Sequence, residues 1–538
     1  MTIGFDTSPL IYQLVMLMAT VGLGSWLFWN RSSNFPETAF LGLTSLYLFL
    51  QRLPVLVFNR ELNADESQML TQALTLTRDP VYWRSVDGTT GGPLSSYFLI
   101  PVGWLTGRFD YITAHCSALL LVIITLFFLY RALKNWFGAS RAAIALFPVI
   151  LFYGFTKNAD FVHFTSEHTP IMLLAAALWI VSYPKFTDPQ NRKLPFLLGV
   201  LLTLVPFGKL QAVPLGAVVA GYAFFLMLDS RSWNSLKWIV LGALFTLLAI
   251  GGLLTAGGVL KDFWVFYIQG NFQYKNDTPL ADNLLVLWNS IVHARDLLIL
   301  AIPTLIFGSY SLFQYDRNKK SAPVFLLGIM LTLATLYASS RTGSGYTHYL
   351  LFLILPVSLL IGSFIPNGLP LNNGRKWFYG GIPVLCAVPT LLMPYFRNGQ
   401  FNPYPSGPGL NRSLPFTETG LEASKYLGKG DFLVVWGWNC QYYVECQAPQ
   451  GVAENHSIRS AFEHPMRETY RDRYIQDLKR TRPAVFIDAV GNSLWLQDTV
   501  TQSYRTFPEL AKFIDQHYIL AGKPEGNRMF VRADLYRH

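Results

Sequence analysis

The chain has 538 residues, of which 51% are hydrophobic and only 14% are charged. Soluble proteins carry about 25% charged residues, so this composition, with a mean hydropathy of +0.31, excludes an ordinary soluble protein and indicates a membrane protein. The net charge of +10 does not point to nucleic acid as a partner, because the basic residues are scattered in short loops between apolar runs. Positive loops on the cytoplasmic side explain the excess.

The segment before the first apolar run does not look like a secretory signal peptide. Residues 1–10 contain Asp6 and no Lys or Arg, whereas a signal peptide begins with a basic segment. We therefore expect the first apolar run to stay in the membrane as a helix, with its N-terminus outside.

Twelve apolar runs are candidates for membrane spans, which need about 17–25 residues. Four of them are short and contain or adjoin prolines, which predicts helices that stop below the bilayer surface, as is tolerated where protein lines a cavity. The full-length candidates are 10–28, 38–58, 112–130, 237–257, 291–313, 322–340, 347–365 and 377–394, and the short ones are 142–155, 169–183, 194–208 and 212–229.

The charges of the loops predict the orientation of these spans. With the N-terminus outside, fourteen Lys and Arg residues fall in the six inside loops, against three acidic residues. This distribution obeys the positive-inside rule, and the opposite orientation would violate it in every loop. The segments predicted to lie outside are 59–111, 156–168, 209–211, 258–290, 341–346 and the tail from 395.

The tail after the last span predicts a separate soluble domain on the extracytoplasmic side. Residues 396–416 are rich in Pro, Gly and Asn and indicate a linker. Short apolar runs after it are typical of buried strands. The predicted strands are 432–438, 484–488 and 529–536, and the predicted helices are 465–480 and 507–517.

The predicted fold is therefore mainly α. It is a polytopic helical bundle of about twelve spans over residues 1–395, followed by a small α/β domain over residues 417–538. Helices are also expected within the outer loops 59–111 and 258–290. The tail holds Cys440 and Cys446, for which a disulfide and two free thiols are equally compatible with the sequence.

An acidic pair follows the second span. Asp65 and Glu66 stand at a predicted helix start in the first outer loop. One interpretation is helix capping, because carboxylates complement the helix dipole there. The other is a general base held at the membrane surface.

The same loop continues through Arg84 and two glycines that precede Pro93, with Tyr97 beyond them. Gly92 before a proline permits a tight bend and the close approach of a substrate. A simple turn explains the pattern equally well.

The loop at 156–168 offers His163, Glu167 and His168 as candidate ligands of a divalent metal. His163 and Glu167 are one helical turn apart. The spacing nevertheless matches none of the established zinc motifs. A solvated polar face is the alternative.

Two further groups lie at short outer turns. Lys209 and Gln211 occupy a turn between two short spans, where a recessed charge usually has a partner or a function. Arg341 and His348, with Tyr349 beside the histidine, stand at the outer entry of another span. An anionic phosphate is a natural partner for these cations, and snorkelling to the interface is the alternative.

These motifs resemble those of a GT-C glycosyltransferase, of the type that includes protein O-mannosyltransferases and lipid A aminoarabinose transferases. The Asp65-Glu66 pair in the first large outer loop is the family's mark, and a Pro-Leu-Ser-Ser-Tyr stretch follows at 93–97. The Lys209-Leu-Gln211 turn and His348-Tyr349 before an apolar run are similar to features of bacterial members. One departure is Gly92, which stands where many relatives have a lysine, and this puts the identity of the substrate in question.

The resemblance implies an inverting transfer of a sugar from a polyprenyl-phosphate donor to a hydroxyl of a lipid, glycan or protein acceptor. It implies no certain cofactor, although a divalent metal stays open, and no nucleic acid partner. The expected location is a bacterial plasma membrane. The assigned residues are Asp65 and Glu66 for catalysis, Lys209, Arg341, His348 and Arg84 for the donor phosphate, and Gln211, Tyr97, Tyr349 and Gly92 for substrate contacts.

Two other functions are alternatives for the same sequence features: transport and polysaccharide ligation or polymerisation. A transporter or lipid flippase would need charges at the bilayer midplane and internal symmetry, and neither is evident in the sequence. A surface polysaccharide ligase or polymerase would act at the same face on a diphosphate-linked glycan.

Overall fold

The computed structural model describes most of the chain. The described residues are 4–29, 35–273, 279–313, 322–341, 343–365, 388–389, 392, 395, 399–405 and 412–536. Most of the predicted span at 377–394 and part of the predicted linker at 396–416 lie outside them.

The chain divides into two compact units, each assembled from three stretches of sequence. Unit 1 comprises Met1–Phe58, Ala118–Ala249 and Asn276–Asn411, and unit 2 comprises Asn59–Ser117, Ile250–Lys275 and Arg412–His538. The boundaries at 395 and 417 stay a prediction.

Helices make up nearly all of the described chain up to residue 365. In chain order they are α1 (Pro9–Trp29), α2 (Glu37–Leu56), α3 (Ala64–Leu76), α4 (Pro93–Thr106), α5 (Tyr111–Phe137), α6 (Ala139–Phe155), α7 (Ala159–Val162), α8 (His168–Ser182), α9 (Lys193–Gly208), α10 (Val213–Ser230), α11 (Trp233–Ala256), α12 (Leu260–Asp262), α13 (Gly270–Gln273), α14 (Leu280–His293), α15 (Leu298–Phe313), α16 (Ala322–Ser340) and α17 (Ile354–Phe364). Tighter 3₁₀ turns cover Leu210–Ala212, Arg295–Leu297 and Thr347–Leu353, and a π-helical segment covers Phe263–Gln269.

The lengths of these helices agree with the predicted pattern of long and short spans. Among the described residues, seven helical stretches are long and apolar enough to cross a membrane, and the pair Ala281–His293 and Arg295–Ser309, bent by 75°, makes an eighth if it counts as one span. The shorter apolar helices Ala139–Phe155, His168–Ser182 and Lys193–Gly208 coincide with three of the four short runs. The protein is thus an integral membrane protein, while its orientation stays a prediction.

Two glycines in unit 1 permit α9 and α11 to meet backbone to backbone. A Cβ atom added at Gly199 would lie 2.0 Å from the carbonyl oxygen of Ile239, and one added at Gly242 would lie 2.0 Å from that of Phe196. Small residues at such crossings are a common basis of helix association in membranes, where lipid supplies little hydrophobic driving force.

Unit 2 contains the helices of the first outer loop, the aromatic segment after residue 250 and the C-terminal α/β region. The remaining elements are α18 (Glu418–Ser424), β1 (Leu433–Trp436), α19 (Gln441–Cys446), α20 (Ile458–Ala461), α21 (Arg467–Thr481), β2 (Val485–Asp488), α22 (Pro508–His517), β3 (Tyr518–Gly522) and β4 (Arg528–Arg532). The sheet has the order β1-β2-β4-β3, with β1 parallel to β2 and the other pairs antiparallel.

Both faces of this sheet are covered, because β1 and β2 are buried at every position. One face packs Val434, Trp436 and Phe486 against α21 and α22, and the other packs Leu433 and Val435 against the segment around α19. The predicted strands and helices of the tail are confirmed. The edge strand β3 was not predicted; its sequence is a short apolar run without alternation, and the side chains of Ile519 and Leu520 are exposed.

The outer-loop helix α3 is held within the same unit by backbone groups. The amide nitrogen of Asn455 donates to the carbonyl of Gln68 at 2.9 Å, and the backbone N–H of Gln450 donates to Thr75 Oγ1 at 3.0 Å. Cys440 and Cys446 are free thiols, each within 3.4 Å of a backbone carbonyl.

The glycine contact in unit 1 gives a stability prediction. Gly242→Ala places a methyl group against the Phe196 carbonyl and forces α9 and α11 apart, which we expect to cost about 1–3 kcal/mol. Gly221→Ala is the matched control, because a Cβ there meets nothing within 4 Å. Thermal unfolding of the detergent-purified protein, followed by tryptophan fluorescence, should show a lower transition for Gly242→Ala only. Equal transitions for the two variants would contradict the close crossing.

Candidate active site

The first group of candidate residues lies in unit 1, where α8 begins and α9 ends. Gly208 at the end of α9 packs against Pro170 in the first turn of α8, and a Cβ there would lie 2.9 Å from Pro170 Cδ. This close approach brings Lys209, the next residue, beside Glu167, which precedes α8. The sequence places the two 42 residues apart.

Lys209 and Glu167 form a buried ion pair. Lys209 is 4% exposed and Glu167 is not exposed at all. The Lys209 Nζ contacts Glu167 Oε1, donates to Ser166 Oγ at 3.0 Å, and lies 4.6 Å from the centre of the Tyr349 ring. Thr165 Oγ1 donates to the other Glu167 oxygen. A recessed lysine with a partner was expected, but this partner is a carboxylate of the protein.

The charge state of Glu167 follows from these neighbours. Burial raises the pKa of the Glu167 carboxyl, but the Lys209 ammonium and the His348 imidazole outweigh it and lower the pKa to about 2. Glu167 is therefore ionised at every physiological pH. The negative charge of Glu167 stabilises the Lys209 ammonium, whose burial without a counter-ion would cost free energy.

Two imidazoles border the pair. His348 is 4% exposed, and its Nε2 lies 3.9 Å from Glu167 Oε1. Its ring stacks on Tyr346 with centroids 5.4 Å apart and meets His163 edge to face at 5.7 Å. His163 is fully buried, and its Nδ1 donates to the carbonyl of Ala159 at 2.9 Å. That bond leaves Nε2 as a lone-pair acceptor, and it has no hydrogen-bond partner among the described residues.

The three metal candidates differ in which of their potential ligand atoms already form hydrogen bonds. His163 presents the unpartnered Nε2, whereas the oxygens of Glu167 already serve Lys209 and Thr165. His168 uses Nδ1 with the backbone of Thr165 at 3.2 Å. An imidazole nitrogen such as His163 Nε2 fits a divalent cation chemically. Metal binding by His163, Glu167 and His168 stays a prediction.

The remaining candidates of unit 1 lie near the same end of the bundle. The Gln211 amide nitrogen donates to the carbonyl of Ala338 at 2.7 Å, and its Oε1 has no partner among the described residues. Arg341 is exposed directly after α16. A role for either in substrate binding stays a prediction.

In unit 2 the two acids of the Asp65-Glu66 pair have different surroundings. Asn63 caps α3 by accepting from the backbone N–H of Asp65 at 3.0 Å. Glu66 is fully buried, with Oε1 3.2 Å from His115 Nε2 and Oε2 accepting from the Leu62 N–H at 3.0 Å. Asp65 is half-buried, in contrast to the fully buried Glu66. The capping interpretation therefore describes Glu66 better than Asp65.

A third acid lies close to this pair. Burial, helped by the nearby carboxylates of Glu66 and Asp65 and opposed by a hydrogen bond from Ser67, raises the pKa of Glu61 to about 7. The start of α3 is thus a crowded acidic region in which an additional proton is readily held.

The other candidates of unit 2 have defined partners. The exposed side chain of Arg84 binds Asp79, with Arg84 Nε donating to Asp79 Oδ2 at 2.8 Å. The Tyr97 hydroxyl donates to the carbonyl of Pro80 at 2.6 Å. Gly92 caps α4 with φ −84° and ψ 166°, a conformation open to any residue. Their assigned roles stay predictions.

Sequence reasoning missed three polar groups of unit 1. Arg52, Lys157 and Asp296 are neighbours in the structure, and Asp296 accepts from the backbone N–H groups of Lys157 and Asn158 at 3.1 and 3.3 Å. The signal that was available is Arg52 itself, a charge inside an otherwise apolar run.

Solved structures of membrane glycosyltransferases share this fold. ArnT from Cupriavidus metallidurans bound to undecaprenyl phosphate has a TM-score of 0.55 at 14% identity, over 93% of this chain and 99% of that chain. Its apo state has a TM-score of 0.51 at 14% identity, over 92% and 99%. The chain has the GT-C fold. This confirms the fold that the resemblance implied.

The Archaeoglobus fulgidus oligosaccharyltransferase tethered with an acceptor peptide reaches only a TM-score of 0.43 at 12% identity, over 85% of this chain and 69% of that chain, which is too low to carry an argument. No protein-family model and no curated protein sequence matches the chain.

The buried pair gives a stability prediction for the GT-C bundle. Removing one partner leaves a buried charge uncompensated, so Glu167→Gln and Lys209→Met should each cost about 3–5 kcal/mol. The double variant should recover most of that loss, because no charge is left behind. Thermal unfolding of the four proteins measures the coupling. Additive losses would show that the pair does not act as a unit.

Proposed function

We propose that this protein is a glycosyltransferase that moves a sugar from a polyprenyl-phosphate carrier to an acceptor hydroxyl on the extracytoplasmic face of the membrane. The observation that carries the proposal is the end-to-end correspondence with ArnT, whose structure holds undecaprenyl phosphate. The resemblance of the outer-loop motifs, found without that structure, supports the same assignment.

The proposed reaction is a single displacement with inversion at the anomeric carbon. The acceptor oxygen attacks that carbon while its proton passes to a carboxylate. The bond between the anomeric carbon and the phosphate oxygen breaks, and the electron pair leaves with the lipid phosphate. The protein must therefore supply one base and positive charge for the leaving group.

Asp65 is the proposed base. It is the accessible member of the acidic pair, whereas both oxygens of Glu66 are engaged by His115 and Leu62. The Asn63 cap fixes the backbone of Asp65 and thus the origin of its side chain. Such general-base assistance is worth roughly 10²–10⁴ in rate. Glu66 is then a positioning residue rather than a second base.

The leaving phosphate is assigned to the cations of unit 1. Lys209 and His348 are buried, and electrostatic stabilisation in a water-poor site exceeds that in bulk solvent. Lys209 is already neutralised by Glu167, so its role would be to donate a remaining N–H rather than to add net charge. Arg341 and Arg84 complete the proposed set, with Gln211, Tyr97, Tyr349 and Gly92 as substrate contacts.

The acceptor is a lipid, a glycan or a protein, and the membrane is proposed to be a bacterial plasma membrane with the C-terminal region outside. A divalent cation would find an imidazole ligand in His163, whose Nε2 has no partner among the described residues.

Matched amide substitutions test the division of the acidic pair. Asp65→Asn should lower sugar transfer from a polyprenyl-phosphate donor by about 10²–10⁴ while the unfolding temperature stays unchanged. Glu66→Gln should lower the unfolding temperature, because it disturbs two buried contacts. Transfer is measured with a radiolabelled sugar donor in detergent. Normal turnover by Asp65→Asn would overturn its assignment as the base.

A further inference from the structure

Arg52 is a buried cation that has no hydrogen-bond or ion-pair partner among the described residues. It lies in the last turns of α2 and is only 8% exposed. Within the described part of the chain, no side chain or carbonyl accepts a hydrogen bond from its guanidinium, and no carboxylate lies within 4 Å of it. Tyr153, Tyr404 and Asp296 are near enough to act on it electrostatically. A buried guanidinium has five N–H donors to satisfy, so this position is costly as it stands.

Lys157 is a second cation beside it, on the turn that follows α6. Its backbone is fixed, because its N–H donates to Asp296 Oδ2 at 3.1 Å and its carbonyl accepts from the Tyr404 hydroxyl at 2.8 Å. Its ammonium likewise has no hydrogen bond or ion pair among the described residues. Burial and the nearby charge of Arg52 together lower the pKa of Lys157 to about 7, with Asp296 opposing the fall.

Asp296 does not neutralise the two cations. One of its oxygens, Oδ2, accepts from Thr156 Oγ1 and from the N–H groups of Lys157 and Asn158. This carboxylate therefore orders the turn, and it lies outside ion-pair distance of both cations. When Lys157 is protonated, two positive charges stand against one negative charge, which leaves one charge uncompensated among the described residues.

The surroundings distinguish this place from the Lys209 turn. There a carboxylate touches the ammonium, and the charges cancel. Here the two cations have no hydrogen-bond acceptor among the described residues. His168 lies within electrostatic range of both Arg52 and His163, whose Nε2 also lacks a described partner. This arrangement fits an anion-binding site better than a structural ion pair.

We propose that Arg52 and Lys157 form the seat of a phosphate group carried by a membrane lipid. The planar guanidinium offers two parallel N–H donors to phosphate oxygens, and the lysine adds a movable point charge. A sugar-phosphate diester carries one negative charge, which matches the uncompensated charge, and the departing monoester gains more. The proposal rests on the proposed function and assigns the leaving phosphate mainly to these residues rather than to Lys209.

The test measures binding without turnover, on the full-length protein in detergent. The probes are undecaprenyl phosphate, undecaprenol as the chain without phosphate, and phosphatidic acid as a lipid phosphate with another tail. Arg52→Gln and Lys157→Gln should each weaken undecaprenyl phosphate binding about tenfold or more, with undecaprenol binding unchanged. Lys185→Gln is the control, since Lys185 is exposed in the loop after α8.

The unfolding temperature separates binding from a structural role. Because each substitution removes a cation that has no ion-pair partner among the described residues, the unliganded variants should be as stable as the wild type or more so. Loss of phosphatidic acid binding with retention of undecaprenyl phosphate binding would assign the seat to the phosphate of an acceptor lipid, within the same chemistry. Unchanged binding of both lipids by the two variants would overturn the inference.

The two levels of proposal fail in different ways. If the wild type transfers sugar and the two variants bind lipid phosphate normally, only the seat is wrong. If the wild type neither binds a lipid phosphate nor transfers sugar, the proposed function fails together with the seat.

Discussion

The cost of burying charge is the constraint on which the account of unit 1 depends. A carboxylate or ammonium removed from water must find a partner or bear a large penalty. Glu167 and Lys209 meet this condition with each other. Arg52, which is buried, and Lys157, which is half-buried, do not meet it within the described chain, and we explain their retention by a ligand that brings negative charge. One principle accounts for both the paired and the unpaired cations.

The same principle separates two acidic side chains that are neighbours in sequence. Glu66 is buried and is held by His115 and a backbone N–H, so it contributes to the structure of unit 2. Asp65, one residue earlier, is half-buried, and we propose its carboxylate as the base. The start of α3 accommodates both acids, because the cap residue Asn63 already satisfies one of its backbone N–H groups.

Apolar run lengths predicted the helices well, since twenty apolar residues have few alternatives in a bilayer. The short runs around Pro206 were also informative, because the recessed Lys209 turn lies between them. The pairing of Lys209 with Glu167 and of Glu66 with His115 was not predictable, as each joins distant segments through tertiary packing. Arg52 was visible as a charge within a span, but only the structure shows that no described group neutralises it.

The central claim is that the sugar moves while the phosphate stays with its lipid. A polyprenyl-phosphate sugar carrying ³H in the sugar and ³²P in the phosphate tests this directly, with the purified protein in sealed vesicles containing acceptor. The account predicts that ³H passes to the acceptor and that ³²P remains on the lipid. Joint movement of both labels to the acceptor would indicate phosphosugar transfer, and movement of the intact donor across the membrane would indicate transport. Either result would contradict the account.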